Sequence, residues 1–121
     1  MNQIEMQAEI ISKVSGILRK YDSVKAFALE GSHAKGTQTG YSDIDMVVVF
    51  KTDERTYLET IYREVAEIQP VFCSLYQLFD AHSLILYENG VRLDLSMVTP
   101  TSFKTWSLST VKVLYDIDDT F

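Results

Sequence analysis

The sequence predicts an α+β domain with α/β-like character, a mixed β-sheet flanked by helices. Three observations lead there. Gln3 to Lys20 and Thr56 to Ile68 repeat apolar residues at spacings of three and four, the period of a helix with one buried stripe. Short apolar runs lie between and after them, and Met46-Val47-Val48-Val49-Phe50 is apolar on both faces, as suits a sheet interior covered on both sides. Asn89-Gly90 joins two further runs with the chemistry of a hairpin turn.

In chain order, the first helix carries Ile10, Val14, Ile17, Leu18 and Tyr21, and Asp22-Ser23 breaks it. Val24 to Leu29 reads as an interior strand. Gly31-Ser32-His33-Ala34-Lys35-Gly36 reads as a glycine-led turn entering a short helix, and Thr37 to Ser42 as a polar loop. Ile44 to Phe50 is the strongest strand. Lys51 to Arg55 is turn-like, and the second helix, with Leu58, Ile61, Tyr62, Val65 and Ile68 on its stripe, ends at Pro70. Val71 to Ala81 has no clean period and reads as strand or irregular. Leu84 to Tyr87 and Val91 to Val98 form the hairpin, closed by Pro100. Thr101 to Ser107 reads as a loop or short helical turn, and Val111 to Tyr115 as a last strand.

Composition narrows the function. A chain of 121 residues with 46% apolar side chains is one domain with a single core. Seventeen acidic against eleven basic residues give a net charge of −6, which disfavours strong nucleic-acid binding and favours a cationic acceptor. A single cysteine, Cys73, excludes an internal disulfide framework and a Cys-rich zinc site; with no basic neighbour in sequence it reads as a buried thiol. No signal peptide and no apolar run of spanning length are present, so the expected compartment is the cytoplasm, with no membrane partner.

The chemistry lies in one spacing. Gly31-Ser32 is followed by Asp43-Ile44-Asp45, and Asp94 sits inside the apolar run Arg92-Leu93-Asp94-Leu95. Side chains two apart on a strand point the same way, so Asp43 and Asp45 share a face, and Asp94 joins them if the two strands are neighbours. Carboxylates that close repel one another and raise one another's pKa, a cost that a divalent cation offsets. Magnesium suits such a site, because it binds a few carboxylates together with substrate phosphates. Glycine lets the backbone approach a phosphate, and Ser32 adds a hydroxyl donor. The pair Asp116 and Asp118 lacks this context and reads as a solvated turn. His33 reads as a partly exposed turn histidine and His82 as a surface one, and Tyr87, Trp106 and Tyr115 as core or edge aromatics able to stack on a base.

Taken together, Gly31-Ser32-His33-Ala34-Lys35-Gly36, Ser42-Asp43-Ile44-Asp45 and Asp94 resemble the signature of the nucleotidyltransferase superfamily that includes DNA polymerase beta. With Ala28-Leu29-Glu30 before the turn and Val113-Leu114-Tyr115-Asp116 at the end, the chain is most similar to bacterial antibiotic nucleotidyltransferases of the aminoglycoside 6-adenylyltransferase type. The resemblance implies a nucleotidyltransferase fold and Mg²⁺-dependent transfer of a nucleoside monophosphate, AMP from ATP, to a hydroxyl of a small acceptor such as an aminoglycoside. It further implies catalytic and metal-binding roles for Asp43, Asp45 and Asp94, with Asp94 nearest the attacking hydroxyl. Gly31 and Ser32 would hold the β- and γ-phosphates, and Lys35 is either a phosphate contact or a surface lysine.

Antibiotic-modifying relatives carry a helical second domain where this chain ends, so residues 1–121 are expected to be a catalytic domain lacking that C-terminal part. The exposed apolar face such a loss would leave allows for a homodimer. Two alternatives stand beside the small-acceptor reading. One is a minimal nucleotidyltransferase that adenylylates a partner protein, against which the long segment between Asp45 and Asp94 counts. The other is a non-catalytic nucleotide-binding or protein-interaction domain, which would be favoured if Asp94 pointed away from the other two.

Overall fold

The protein is described by a computed structural model that covers residues 1–79, 81–106 and 110–121. The elements run α1 (Gln3–Arg19), β1 (Val24–Glu30), α2 (Gly31–Lys35), β2 (Ile44–Phe50), α3 (Leu58–Ala66), β3 (Val71–Phe79), β4 (His82–Tyr87), β5 (Arg92–Val98), α4 (Pro100–Phe103) and β6 (Lys112–Asp116). The strands form one sheet in the order β3-β4-β5-β2-β1-β6. The β2–β5 pair is parallel and the others antiparallel, which makes the sheet mixed, as the sequence predicts.

Local chemistry sets the element ends. Asn2 caps α1 by accepting from the Glu5 backbone N–H at 2.8 Å, while the Glu5 carboxylate accepts from the Asn2 N–H at 3.3 Å. This reciprocal pair satisfies two otherwise orphaned donors of the first turn. The helix buries Gln7, Ile10, Val14 and Leu18, and α3 buries Leu58, Ile61, Tyr62 and Val65, each at helical spacing. Gly90, at φ +92°, makes the turn between β4 and β5 that an L side chain resists.

Pleat parity divides the sheet into two unlike faces. Phe27, Ile44, Met46, Val48, Ile85, Leu93 and Leu95 point to one side and are buried under α1 and α3. Complete burial of one such side chain is worth about 1.5–3 kcal/mol. Tyr87 crosses this layer, and its hydroxyl donates to the Val65 carbonyl at 2.6 Å, fastening β4 to α3. The opposite face has a smaller cluster, Ala28, Val47, Val49, Ala81 and Val98, against which Phe103, Trp106, Val111 and Phe121 pack. Asp116 holds this cover in place by accepting the backbone N–H groups of Asp118, Thr120 and Phe121. It is a turn cap, and burial, which opposes its ionisation, is outweighed by those donors, so its pKa lies below the ordinary value.

Two expectations change, those for Cys73 and His33, and two open readings are decided. Val71 to Ala81 is largely strand β3, with residue 80 outside the described residues. It shows no period because it is the sheet's edge, where Phe72, Cys73, Leu75 and Tyr76 are all exposed and the register to β4 shifts twice. Cys73 is therefore an exposed thiol and not a buried one. His33 is 7% exposed and not a partly open turn residue, because α2 turns it inward among Ile4, Ala8, Ile11 and Leu29. The predicted turn after Pro100 is α4, and Ser107 lies outside the described residues. Among the described residues no helix is long and apolar enough to cross a membrane.

Candidate active site

The site begins where β1 ends. Glu30, the last residue of β1, pairs in register with Asp45 on β2, and Asp45 pairs with Asp94 on β5. Residues paired across strands point to the same face, so Glu30, Asp45 and Asp94 stand in a row across three strands. Asp94 thus points the same way as Asp45, the geometry the catalytic reading requires. Asp43 lies just before β2, outside the strand, and is tied to the row through Arg92.

Their electrostatics follow from that row. The Asp45 carboxyl is pushed up to about 7 by burial first, then by its hydrogen bond to Asp94 and by the charges of Asp94, Asp43 and Glu30. Arg92 is the counterion at hand. Its Nε lies 3.3 Å from Asp94 Oδ1 and 3.7 Å from Asp43 Oδ2, and all three side chains are partly exposed. Among the described residues no three acidic, histidine or cysteine side chains already converge to hold a metal ion. The donor set nevertheless fits a hard divalent cation. It consists of carboxylate oxygens, and burial together with their mutual repulsion raises the Asp45 pKa, a cost that added positive charge offsets.

Gly31 follows Glu30 directly and adopts φ +64°. A Cβ built there would lie 2.7 Å from Asp45 Oδ2, so the backbone of the turn is pressed against the carboxylate in a way that only glycine allows. Ser32 follows in the first turn of α2, whose N-cap, Glu30, makes no side-chain capping bond. Lys35 ends α2 and is exposed. The structure therefore brings Gly31 against Asp45, and Asp45 beside Asp94, with Asp43 linked to Asp94 through Arg92. Among the described residues no hydrogen bond or ion pair joins Lys35 to this group.

A cavity of about 360 Å³ opens over the row, lined by Glu30, Asp45, Arg92, Asp94, His82 and Ser96 among others. Sequence reading assigns no site role to Glu30, Arg92, His82 or Ser96. Two of them leave a signal, since Glu30 immediately precedes Gly31-Ser32 and Arg92 alternates with Asp94. His82 and Ser96 do not, because only the β4–β5 register places them opposite one another. The Ser96 hydroxyl and His82 Nδ1 are 2.9 Å apart, the His82 ring lies 5.4 Å from that of Trp106, and Trp106 Nε1 donates to Glu30 Oε1 at 3.4 Å. Of the aromatics considered for base stacking, Tyr87 is core and Tyr115 stacks on Phe27 at 5.4 Å, which leaves Trp106 beside the cavity.

Comparison with known proteins shows the family and the fold. Residues 11–114 match the family model described as a nucleotidyltransferase domain. Over 49 residues the chain is 49% identical to a protein of Methanocaldococcus jannaschii named "Putative protein adenylyltransferase"; the match covers 40% of this chain and 47% of that protein. The chain therefore spans about half the length of this curated relative. The fold is shared with a solved toxin–antitoxin with AMP-PNP, at TM-score 0.50 and 18% identity over 88% of this chain and 73% of the other. It is shared as well with a STING-associated c-di-GMP synthase from Capnocytophaga granulosa, at TM-score 0.52, with 17% identity over 80% of this chain and 33% of that one. A third neighbour, the Bradyrhizobium diazoefficiens CD-NTase in complex with GTP, has TM-score 0.53 and 18% identity over 82% and 33% of the two chains.

Proposed function

The chain belongs to the nucleotidyltransferase domain family and is a nucleotidyltransferase, and from that premise we propose that it transfers AMP from ATP to a hydroxyl group of a partner protein, with Mg²⁺ as cofactor. The observation that carries the reading is the side-by-side pairing of Asp45 and Asp94 next to the Gly31 turn. Asp43, Asp45 and Asp94 would hold the cation, which when bound supplies positive charge to the triphosphate and to the leaving pyrophosphate.

The protein's own residues do the rest. The Gly31 backbone and the Ser32 hydroxyl bind the β- and γ-phosphates and orient the α-phosphate over Asp45. Asp94, one strand further out, orients the acceptor hydroxyl and accepts its proton at a carboxylate oxygen. A bond forms from the acceptor oxygen to the α-phosphorus, the bond from that phosphorus to the β-phosphate bridge breaks, and pyrophosphate leaves. Arg92 orients the Asp94 carboxylate for this task through the 3.3 Å contact of its Nε with Asp94 Oδ1.

The sequence resemblance implies an aminoglycoside acceptor. A protein acceptor is better supported, by the name of the relative 49% identical over the matched segment. The test is transfer from α-labelled ATP with Mg²⁺ to an aminoglycoside panel and, separately, to the soluble proteins of the native host. Labelled protein and unlabelled aminoglycosides are expected, and the reverse pattern would overturn the acceptor assignment. Asp45→Asn is expected to lower transfer at least ~100-fold, a loss of about 2.7 kcal/mol in transition-state stabilisation. Equal transfer by the variant would remove Asp45 from the mechanism.

A further inference from the structure

The site face does not stop at the carboxylates. Cross-strand register carries it from Asp94 on β5 to Leu84 on β4 and Leu75 on β3, and from Arg92 to Leu86 and Cys73. Leu84 and Leu86 are only partly buried, Leu75 is 48% exposed, and Cys73 is exposed. On the other face of β4, Ile85 and Tyr87 are completely covered by helices. Leu84 also lines the cavity that contains Asp45 and Asp94, so this apolar apron is continuous with the place where a hydroxyl would be attacked. The edge strand β3 contains no charged residue, whereas edge strands are commonly guarded by charge against unwanted pairing.

Resting on the protein-acceptor reading above, we propose that the apron formed by Leu75, Leu84 and Leu86, with Cys73 at its margin, is the surface on which the acceptor protein docks. Its occupant is a protein patch that is apolar at the centre and basic at the border. The apolar centre follows from the leucines, which an interface would take out of water. The basic border follows from charge. The apron runs into Glu30, Asp45 and Asp94, against which stands Arg92, and the chain as a whole carries a net charge of −6, so an acidic partner is repelled and a basic one is steered in. A second copy of this chain brings the same negative charge to the contact and is the poorer occupant. Leu75 does not line the cavity that a small acceptor would enter.

The experiment uses the full chain with α-labelled ATP, Mg²⁺ and two kinds of acceptor: the soluble proteins of the native host, and N-acetyl-serinamide and N-acetyl-tyrosinamide as small hydroxyl probes. Leu75→Arg is expected to lower protein labelling about tenfold, as removal of an interface anchor does. Leu75→Glu should lower it less, by about threefold, because its charge suits a basic border. Labelling of the small probe stays at the wild-type level in both. Cys73→Arg, at a second exposed position, repeats the protein-specific loss. Undiminished protein labelling in Leu75→Arg and Cys73→Arg would overturn the proposal. So would a parallel loss of probe labelling, which would place the effect in the catalytic site, or a wild-type dimer in sedimentation that Leu75→Arg dissociates. A wild type that labels the probe but no protein overturns the acceptor reading and this surface with it. One that labels neither and releases no pyrophosphate removes nucleotidyl transfer itself.

Discussion

The two faces of this sheet are built from alternate residues of the same strands, yet they have opposite chemistry. On β5, Leu93, Leu95 and Met97 are buried against helices, while Arg92, Asp94 and Ser96 face the cavity. On β2, Ile44 and Met46 go one way and Asp45 the other. The covered face supplies the rigidity that lets the other hold repelling carboxylates at fixed separation. A site placed on strands whose backs are close-packed cannot relax by moving its backbone, so Asp45 keeps its buried place beside Asp94 and its pKa is raised, by burial first and by the neighbouring carboxylates next.

The comparison can be broken first from the covered side. Phe27 is completely buried and stacks on Tyr115, so Phe27→Ala should cost about 3–5 kcal/mol in urea unfolding. A cost below 1 kcal/mol would mean that this face is not the rigid one. Gly31→Ala tests the point where turn and carboxylate touch. The new Cβ meets Asp45 Oδ2 at 2.7 Å in a left-handed backbone, so a loss of about 1–3 kcal/mol is expected, together with weaker nucleotide binding in a fluorescent-ATP titration. Tyr87→Phe removes only the hydrogen bond to Val65 and should cost about 1 kcal/mol, with nucleotide binding unchanged.

A pH series sharpens the contrast, because each side holds a group whose pKa is shifted. Asp45, on the site face, has a folded pKa of about 7 against an ordinary 3.8. Its contribution to stability is fully present below the ordinary value and is lost as pH rises through 7 in metal-free protein; Asp45→Asn should flatten that slope. His33, on the helix side, is held below 6.5 by burial and then by Lys112. Its contribution is present above 6.5 and is lost as pH falls, and His33→Gln should remove that acid-side decline. Thermal melts from pH 4 to 8 read both slopes, and matching slopes in wild type and variants would show that neither group is linked to folding.

Much of this was legible in the residues. Helical spacing found α1 and α3, the all-apolar run found β2 to the residue, and Asn89-Gly90 found the hairpin. Asp43, Asp45 and Asp94 could be nominated because charge inside a strand that is otherwise core needs a reason. Edge strand β3 could be read only as strand or irregular, since periodicity registers a difference between two faces and Leu75 and Tyr76 are exposed on both. His33 was misplaced for a related reason: its burial depends on how α2 docks against α1 and β1, and not on its neighbours in sequence.

By itself, then, the sequence determined the elements, the pleat parity that sets Asp45 opposite Met46, and the glycine a phosphate-approaching turn requires. These are local matters, decided within a few residues by sterics and by side-chain period. Only the tertiary structure decided that β2 and β5 are parallel neighbours in the register that pairs Asp45 with Asp94, that Glu30 and Arg92 join them, and that His82, Ser96 and Trp106 close one side of the cavity. Register between strands some fifty residues apart is set by how the whole covered face packs, and no local pattern encodes it.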